Sequence, residues 1–463
     1  MMSSSLCTRC RVMNSQRSPI LFVVLLALIV RGAVALLALS CNEDSSVFFE
    51  PYSPQYLKPA VSLLRWEGFT VEGRPEIHRT PGYPLLLIPG LALNNVPLVT
   101  IVLQLLLSCL TVYLVYRIGL LLFGRINVAA GCALLYAVEP LSVVFSPLIM
   151  PETSLTCALS AFLFFLVRYL HGGSMGHVIA SGGAAAVSAY INPITLYLPF
   201  VMALGGVIHA LRKRKGTLVA PALVLLAVYV ALVGPWVIRN RVEARFCGFS
   251  TIFADSMYYA VGGSVKAAKE GKPIEEVQRD LAMHLAVYAE SHPKPGEQQA
   301  FMIGEGVKKA IRHPLTYAYI HVKGMVRTLA GLAAHGYVRL LCLLPESDDL
   351  RAHVLAGDGL MRIAVSRAAD LSFAVMTVTA VLGIFAVMYY ALALVGLLTK
   401  RVLGSADTTA LLMAAAYLLI LTGGFHGYSR YRHAIMPIVS ILAGYGFSLV
   451  LERWRTRRTG ARP

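Results

Sequence analysis

Three basic residues crowd together in the segment SRYRH, which stands just before an apolar run near the end of the chain. They are Arg430, Arg432 and His433. A guanidinium group can hold a phosphate through two parallel hydrogen bonds. The segment therefore predicts a site for an anion at the end of a hydrophobic helix. Arg79, in RPEIHRTPGYP, and Arg239, in PWVIRNR, also lie beside apolar runs and are further candidates for binding a substrate phosphate.

Three carboxylates occupy similar positions and are candidate catalytic groups. Asp44 and Glu50 follow the first apolar run, and Glu152 stands in SPLIMPETSL at the start of another run. A carboxylate near these cations could deprotonate an acceptor hydroxyl, while a guanidinium stabilises a leaving phosphate. Each residue also has a structural reading. An arginine near a span end can simply reach the membrane interface, and a glutamate after a proline can simply favour a helix N-terminus.

The composition is that of a polytopic membrane protein. Of 463 residues, 57% are hydrophobic and 14% are charged, whereas soluble domains carry roughly 25% charged residues. Several runs are long enough to cross a bilayer core of about 30 Å. The net charge of +17 comes with no nucleic-acid-binding motif. We therefore expect membrane lipid as a partner and no nucleic acid.

The positions of lysine and arginine predict the topology. If the N-terminal tail is cytoplasmic, every basic cluster falls in an inner loop or tail, as the positive-inside rule requires. The first run is longer than a typical signal-peptide core, and we interpret it as an uncleaved span. The fold class is thus an all-α polytopic bundle of about ten transmembrane helices with two external loop regions. The predicted spans are 19–40, 97–117, 127–148, 153–170, 176–191, 193–211, 217–236, 371–398, 408–425 and 434–451.

The apolar stretch 322–343 is left out of this count. It carries Lys323, Arg327, His335 and Arg339, and several cations inside a membrane are costly. We predict an interfacial helix on the outer surface. The chain then divides into a cytoplasmic tail 1–18, a transmembrane bundle 19–236 that includes the external loop 41–96, an external helical region 237–370, C-terminal transmembrane helices 371–451 and a basic cytoplasmic tail 452–463.

Four segments together resemble one enzyme family. YLKPAVSLLRWEGFTVEGRPEIHRTPGYPLLL, SPLIMPETSL, GPWVIRNRVEARFCGFSTIF and SRYRHAIMPIVSILAGYG are similar, in order, to segments of bacterial GT-C glycosyltransferases. These are the polytopic enzymes of the protein O-mannosyltransferase and lipid A aminoarabinose transferase type, related to glycosyltransferase family 39. The resemblance runs from about residue 20 to residue 451.

The resemblance implies an inverting transferase in the cytoplasmic (inner) membrane, with an active site that faces outward. The donor would be a polyprenyl-phosphate sugar, and the acceptor a glycan, a lipid or a protein. The family usually has a catalytic Asp in the first external loop, where this chain has Tyr52. Glu50 or Asp44 would then be the base, with Glu152 supporting it. Arg430 and Arg432 would hold the phosphate.

Two other functions stay open from the sequence. One is a transporter or flippase for lipid-linked sugars, which should show inverted repeats or paired broken helices. The other is a GT-C-like protein that has lost catalysis, which Tyr52 would explain. Some family members use a divalent cation and others do not. The residues here indicate no metal-binding cluster, so the cofactor is left undetermined.

Overall fold

The computed structural model describes residues 2–42, 44–212, 219–343, 372–424 and 427–459. Side chains are described from residue 19 to residue 458 within these ranges, apart from residues 210–212. Nearly all of this part of the chain is helical, which confirms the predicted all-α class. Its one two-stranded sheet is a hairpin, in which β1 (Thr70–Val71) pairs antiparallel with β2 (Arg74–Pro75).

Within the described ranges, six helices are long and apolar enough to cross a membrane. The chain is therefore an integral membrane protein, as its composition predicts. Five shorter apolar helices pack with the six, and the predicted total of ten spans stays a prediction. The six are Pro19–Cys41, Val96–Phe123, Glu152–Leu170, Val219–Ala244, Phe373–Leu397 and Ser429–Arg458, and the five are Gly82–Ala92, Ile126–Ala137, Met175–Ile191, Pro193–His209 and Ala406–Leu421.

The elements follow one another along the chain with short connections. The helices are α1 (Met2–Cys41), α2 (Pro54–Leu64), α3 (Gly82–Ala92), α4 (Val96–Phe123), α5 (Ile126–Ala137), α6 (Pro140–Phe145), α7 (Glu152–Leu170), α8 (Met175–Ile191), α9 (Leu198–Arg212), α10 (Val219–Ala244), α11 (Ile252–Asp255), α12 (Gly263–Glu270), α13 (Ile274–Ser291), α14 (Pro295–Arg312), α15 (Pro314–Ala330), α16 (Ala334–Leu340), α17 (Phe373–Leu397), α18 (Lys400–Leu403), α19 (Ala406–Leu421) and α20 (Met436–Thr459). Short 3₁₀ segments span Ser45–Phe48, Pro193–Thr195 and Ser429–Ile435, and a π-helix spans Ser256–Gly262.

The predicted span 127–148 is not one helix, because the chain breaks between α5 and α6. Pro140 has no amide hydrogen to donate and disfavours a helical residue before it. The carboxylate of Glu139 accepts hydrogen bonds from the backbone amides of Leu141 and Ser142 and so starts α6 as a new helix. The sequence prediction of a continuous span was wrong at this point.

Arg31 of α1 holds this break together from inside the bundle. Its side chain is completely buried. The guanidinium donates hydrogen bonds to the carbonyl oxygen of Ala137 at 2.6 Å, and to the hydroxyls of Ser108 at 2.7 Å and Ser142 at 2.9 Å. One side chain therefore joins α1, α4 and the α5–α6 break.

The apolar stretch predicted as a single interfacial helix over 322–343 is also divided. It contains the end of α15 and all of α16, with a break at residues 331–333. Ala333 has a positive φ of 54°, a conformation that does not continue a right-handed helix. The rest of the predicted external region contains the small helices α11 to α14, and residues 344–371 lie outside the described ranges.

The proline-rich strap around His78 is anchored to the segment that follows α10. The amide of Thr251 donates to the carbonyl oxygen of Ile77 at 3.1 Å. The hydroxyl of Ser250 donates to the carbonyl oxygen of His78 at 2.6 Å. The strap thus connects the two predicted external regions, and its position is fixed before α3 begins.

Helices α17 and α20 cross at a contact made by glycines. A Cβ atom on Gly446 would overlap the carbonyl oxygen of Leu392, and one on Gly396 would overlap that of Leu442. Small residues let membrane helices approach closely, since dispersion contacts drive their association. This crossing fixes α20, whose N-terminal end carries the SRYRH segment.

We expect Gly446→Ala to lower the midpoint of thermal unfolding in detergent, because overpacking costs about 1–3 kcal/mol. Helix propensity alone predicts the opposite, a gain of up to about 1 kcal/mol. Gly383→Ala on α17 is the matched control, since its Cβ would meet Leu332 only at an ordinary 3.8 Å. Equal midpoints for the two variants would refute the close crossing.

Candidate active site

A recess lies where the start of α7, the end of α8 and the 3₁₀ segment Ser429–Ile435 meet. It joins parts of the chain that are far apart in sequence, and it has both charged and apolar walls. Leu418 of α19 closes one side. The lining residues are Glu152, Leu155, Asn192, Ile194, Leu418, Arg430, Tyr431 and Ala434.

Glu152 is the carboxylate of this recess. It is the first residue of α7, directly after Pro151, and only 8% of it is exposed. Its Oε2 atom is buried and has no hydrogen-bond partner in the described part of the chain. Its place in the first turn of a helix favours the ionised form, because the helix dipole is positive there. The recess therefore contains a buried carboxylate oxygen that is available to a ligand.

Arg430 is the cation of the recess, and aromatic rings surround it. Its guanidinium carbon lies 4.7 Å from the centre of the Tyr52 ring, 4.9 Å from that of Tyr431 and 6.0 Å from that of Tyr428. One Nη atom donates to the Tyr431 hydroxyl at 3.0 Å. The Nε atom is buried, and no described group accepts from it. Tyr52, at the position where the family resemblance implies an Asp, thus packs against the candidate phosphate ligand.

Glu50 is held by an arginine that the sequence analysis did not place in the site. A guanidinium nitrogen of Arg339, in α16, lies 2.5 Å from the Glu50 carboxylate. The two side chains are 18% and 19% exposed. His335 lies one turn earlier on α16, and burial lowers its pKa, which favours the neutral ring. The charges of α16 were predicted to lie on an interfacial helix, but this one reaches the first external segment.

A short backbone connection brings the Glu50 segment beside that of Glu152. Phe49 forms an isolated parallel bridge with Ile149. The amide of Ile149 donates to the carbonyl oxygen of Phe48 at 2.8 Å, and the hydroxyl of Ser53 donates to the carbonyl oxygen of Ile149 at 2.8 Å. The first external segment is therefore tied to the loop that leads into α7.

Asp44 has a structural role in this conformation. Its carboxylate accepts a hydrogen bond from the Ser46 amide at 2.8 Å and caps the 3₁₀ segment Ser45–Phe48. These hydrogen bonds lower the pKa of Asp44, which is exposed to solvent. The carboxylate is thus already occupied as a cap, and the recess does not include it.

Arg79 is held between α2 and the strap. Its Nε atom donates to the amide oxygen of Gln55 at 3.0 Å, and an Nη atom donates to the hydroxyl of Tyr56 at 3.1 Å. Burial raises the pKa of Tyr56 to about 12, so the phenol stays protonated at neutral pH. Arg79 is not among the lining residues of the recess, although its charge acts on Glu152.

Arg239 serves the backbone of the first external region. It donates to the carbonyl oxygens of Glu76 at 2.7 Å and Phe69 at 2.6 Å, and it pairs with Glu243 at 2.6 Å. Its guanidinium also lies 4.9 Å from the ring centre of Trp236. These contacts commit it to holding the hairpin on α10, away from the recess.

The three basic residues of SRYRH do not point into one site. Arg432 is 4% exposed and donates to the carbonyl oxygens of Leu329 and Thr328 at the end of α15. His433 is 1% exposed and shares a hydrogen bond with the Thr156 hydroxyl at 2.6 Å. A 3₁₀ helix has three residues per turn, so residues two apart face different sides. The structure therefore brings only Arg430 of this triplet together with Glu152.

Over the described residues, no group of three or more His, Cys, Asp or Glu side chains is arranged to hold a metal ion. The charges of the recess come instead from Glu152 and Arg430. Tyr431 adds a hydroxyl and Asn192 adds an amide. These groups can bind an anion and a hydroxyl-bearing molecule side by side.

One family model matches this chain. It is described as dolichyl-phosphate-mannose-protein mannosyltransferase, and it matches residues 78–238. This segment contains the strap, Glu152 and the PWVIRNR segment, and it amounts to about a third of the chain. No curated protein sequence matches the chain.

Similar solved structures are polytopic membrane enzymes with low sequence identity. The oligosaccharyltransferase AglB from Archaeoglobus fulgidus, in complex with an inhibitory peptide and a dolichol-phosphate, is 15% identical with a TM-score of 0.47, and the match covers 94% of this chain and 52% of that one. ArnT from Cupriavidus metallidurans bound to undecaprenyl phosphate is 16% identical with a TM-score of 0.43, and the match covers 94% and 78% of the two chains. The chain thus spans about half the length of the archaeal enzyme.

The family match includes two of the segments on which the sequence resemblance rests, SPLIMPETSL and PWVIRNR. By this match, the chain is a member of the superfamily of GT-C, protein mannosyltransferase-like membrane proteins, as its sequence predicts.

Proposed function

We propose that the chain is an inner-membrane glycosyltransferase that moves a sugar from a polyprenyl-phosphate donor to an acceptor hydroxyl at the outer face of the membrane. One observation carries this proposal. Glu152 and Arg430 line the same recess, and each has a buried polar atom to which no described group is bonded. The description of the matched family supports a donor that is a lipid phosphate sugar.

In this proposal Arg430 holds the donor phosphate. The aromatic rings around it stabilise the cation through its faces but accept only one of its hydrogen bonds, at Tyr431. The Nε atom remains available for a phosphate oxygen. As the bond between the anomeric carbon and the phosphate oxygen breaks, negative charge grows on the phosphate. A guanidinium already in place stabilises that charge.

Glu152 is the proposed general base. Its unbonded Oε2 takes the proton from the acceptor hydroxyl while the acceptor oxygen forms the new bond to the anomeric carbon. The polyprenyl phosphate leaves with the electron pair of the broken bond. Attack from the face opposite the phosphate inverts the anomeric centre. Glu50, paired with Arg339, keeps the first external segment beside the recess.

The orientation of α20 supports the outward-facing site. The SRYRH segment stands at its N-terminal end, and the basic residues Arg455, Arg457 and Arg458 stand at the other end. At 1.5 Å per residue, a 24-residue helix is about 36 Å long, enough to cross the bilayer core. If the positive-inside rule places the basic end in the cytoplasm, the recess opens on the opposite side. The division into five parts and the cytoplasmic placement of both termini belong to this proposal.

A second candidate function is a GT-C-like protein that binds the lipid phosphate without transferring a sugar. The observation that favours it is the Tyr52 ring, which lies 4.7 Å from the Arg430 guanidinium carbon at the position where the resemblance implies a catalytic Asp. The transporter stays an alternative from the sequence, and the same assays address it.

We expect Glu152→Gln and Arg430→Gln each to lower sugar transfer by about 100-fold or more, since a positioned base contributes about 10²–10⁴ and a single oxyanion donor about 10²–10³. The measurement is transfer from a radiolabelled polyprenyl-phosphate sugar to an acceptor by purified protein in vesicles. Asp44→Asn is the matched control, because Asn caps a helix as well as Asp does, and its activity should change less than about twofold.

The alternatives give different results in this assay. Loss of transfer in Glu50→Gln with retention in Glu152→Gln would assign the base to Glu50. Full activity of Arg430→Gln would refute the phosphate role of Arg430. Folded wild-type protein that binds the lipid phosphate but transfers no sugar would establish the non-catalytic candidate. Movement of the intact donor lipid across the vesicle membrane, without transfer, would establish the transporter.

We further expect Glu50 and Arg339 to act as a pair. Glu50→Gln and Arg339→Gln should lower the unfolding midpoint, and the double variant should be less destabilised than the sum of the two. A coupling free energy of about 1 kcal/mol is reasonable for a partly exposed pair. A double-mutant cycle by thermal unfolding in detergent measures it. Purely additive effects would mean that the ion pair does not hold the first external segment.

A further inference from the structure

A second recess lies on the other side of the Ser429–Ile435 segment, beside α17 and the turn that follows α15. It is separate from the Glu152 recess, with which it shares no lining residue. Its charged residues are Glu139, from the α5–α6 break, and Arg432. Most of the wall is apolar, formed by Leu332, Leu382, Phe385, Ala386 and Met436, with Tyr389 and Tyr390 at the side.

Most polar groups of this recess already have partners. Both carboxylate oxygens of Glu139 accept from the backbone amides at the start of α6. The hydroxyl of Tyr390 donates to the carbonyl oxygen of Leu329 at 2.9 Å, and the hydroxyl of Tyr389 pairs with that of Ser440. Arg432 differs, because its Nε atom is buried and bonds to none of the described residues. The unsatisfied group is thus a cationic donor, which calls for an acceptor oxygen.

The local charge also favours an anion. Arg31 donates to the hydroxyl of Ser142 and to the carbonyl oxygen of Ala137, on either side of Glu139. Two buried guanidiniums, from Arg31 and Arg432, therefore act on one buried carboxylate. The carboxylate also caps α6, where the helix dipole partly offsets its charge. The balance around the recess is positive.

The apolar wall connects the recess with the outer surface of the helix bundle. Phe385 and Ala386 on α17 are partly buried, and on the same helix Ile384 and Val387 are 71% and 72% exposed. In a membrane-spanning helix such exposed apolar residues face lipid. A molecule with an anionic head at Arg432 can therefore lay its hydrocarbon chain along α17.

We propose that this recess binds a phosphate-headed lipid, with the phosphate on Arg432 and the acyl or prenyl chain against Phe385 and Ala386. The chemistry is the same for an anionic phospholipid and for a polyprenyl phosphate. The site is distinct from the proposed active site, and its occupancy does not depend on transfer activity. Because Arg430 and Arg432 lie on one 3₁₀ segment, a lipid bound here also buttresses the segment that carries Arg430.

The test is native mass spectrometry of purified, delipidated full-length protein with three added lipids. Phosphatidylglycerol and undecaprenyl phosphate are the phosphate-headed ligands, and phosphatidylcholine is the zwitterionic control. We expect one retained adduct with at least one of the first two, and at least tenfold weaker retention of phosphatidylcholine. Ala386→Phe fills the recess and should weaken the adduct tenfold or more. Ala380→Phe is the matched control, because Ala380 is exposed on the same helix, and it should bind as the wild type does.

Arg432→Gln should also lose the adduct, but it removes hydrogen bonds to the end of α15 and can fail to fold. The alanine pair keeps the test decisive in that case. Retention by phosphatidylglycerol assigns the site to bulk anionic lipid, and retention by undecaprenyl phosphate alone assigns it to the prenyl phosphate. Equal adducts in Ala386→Phe and Ala380→Phe, or equal retention of phosphatidylcholine, would overturn the proposal. Neither result would affect the separate transfer assay on Glu152.

Discussion

The backbone between α5 and α7 is not continuously helical, and within a bilayer every backbone polar group in such a stretch needs a partner. Buried side chains supply the partners. Arg31 donates to the carbonyl oxygen of Ala137, and the side-chain amide of Gln104 donates to those of Ser146 at 3.0 Å and Leu148 at 2.7 Å. A continuous helix would need neither side chain. The polar groups buried in α1 and α4 thus exist because the chain unwinds before α7.

The unwound stretch makes the candidate site possible. A helix running on from α5 would bond its own carbonyl oxygens internally, and none would be left to meet another segment. Here the carbonyl oxygen of Ile149 accepts from Ser53, and the amide of Ile149 donates to Phe48. The first external segment is therefore fixed directly before Glu152. The family match covers this whole region, which is the part of the chain where fold and proposed chemistry depend on each other.

The sequence predicts the helical class and most span positions because long apolar runs have few alternatives in a bilayer. It predicted no break in 127–148, although Glu139-Pro140 inside an apolar run was the available signal. Individual site residues were harder, since their roles depend on distant partners. Asp44 followed by two serines was readable as a cap. The contacts of Arg239 with Phe69 and Glu76, and of Arg339 with Glu50, join segments whose proximity no local pattern shows.

Tyr52 changes how the proposed site balances its charges. An Asp beside Arg430 would neutralise the guanidinium and take up its donors. A tyrosine ring stabilises the cation by about 0.5–2 kcal/mol through its face and leaves the donors in the guanidinium plane available. Arg430 accordingly keeps an unbonded Nε, and Glu152, across the same recess, keeps an unbonded oxygen. In the proposed enzyme the aromatic substitution therefore strengthens phosphate binding, and the task of the base passes from the first external segment to the start of α7.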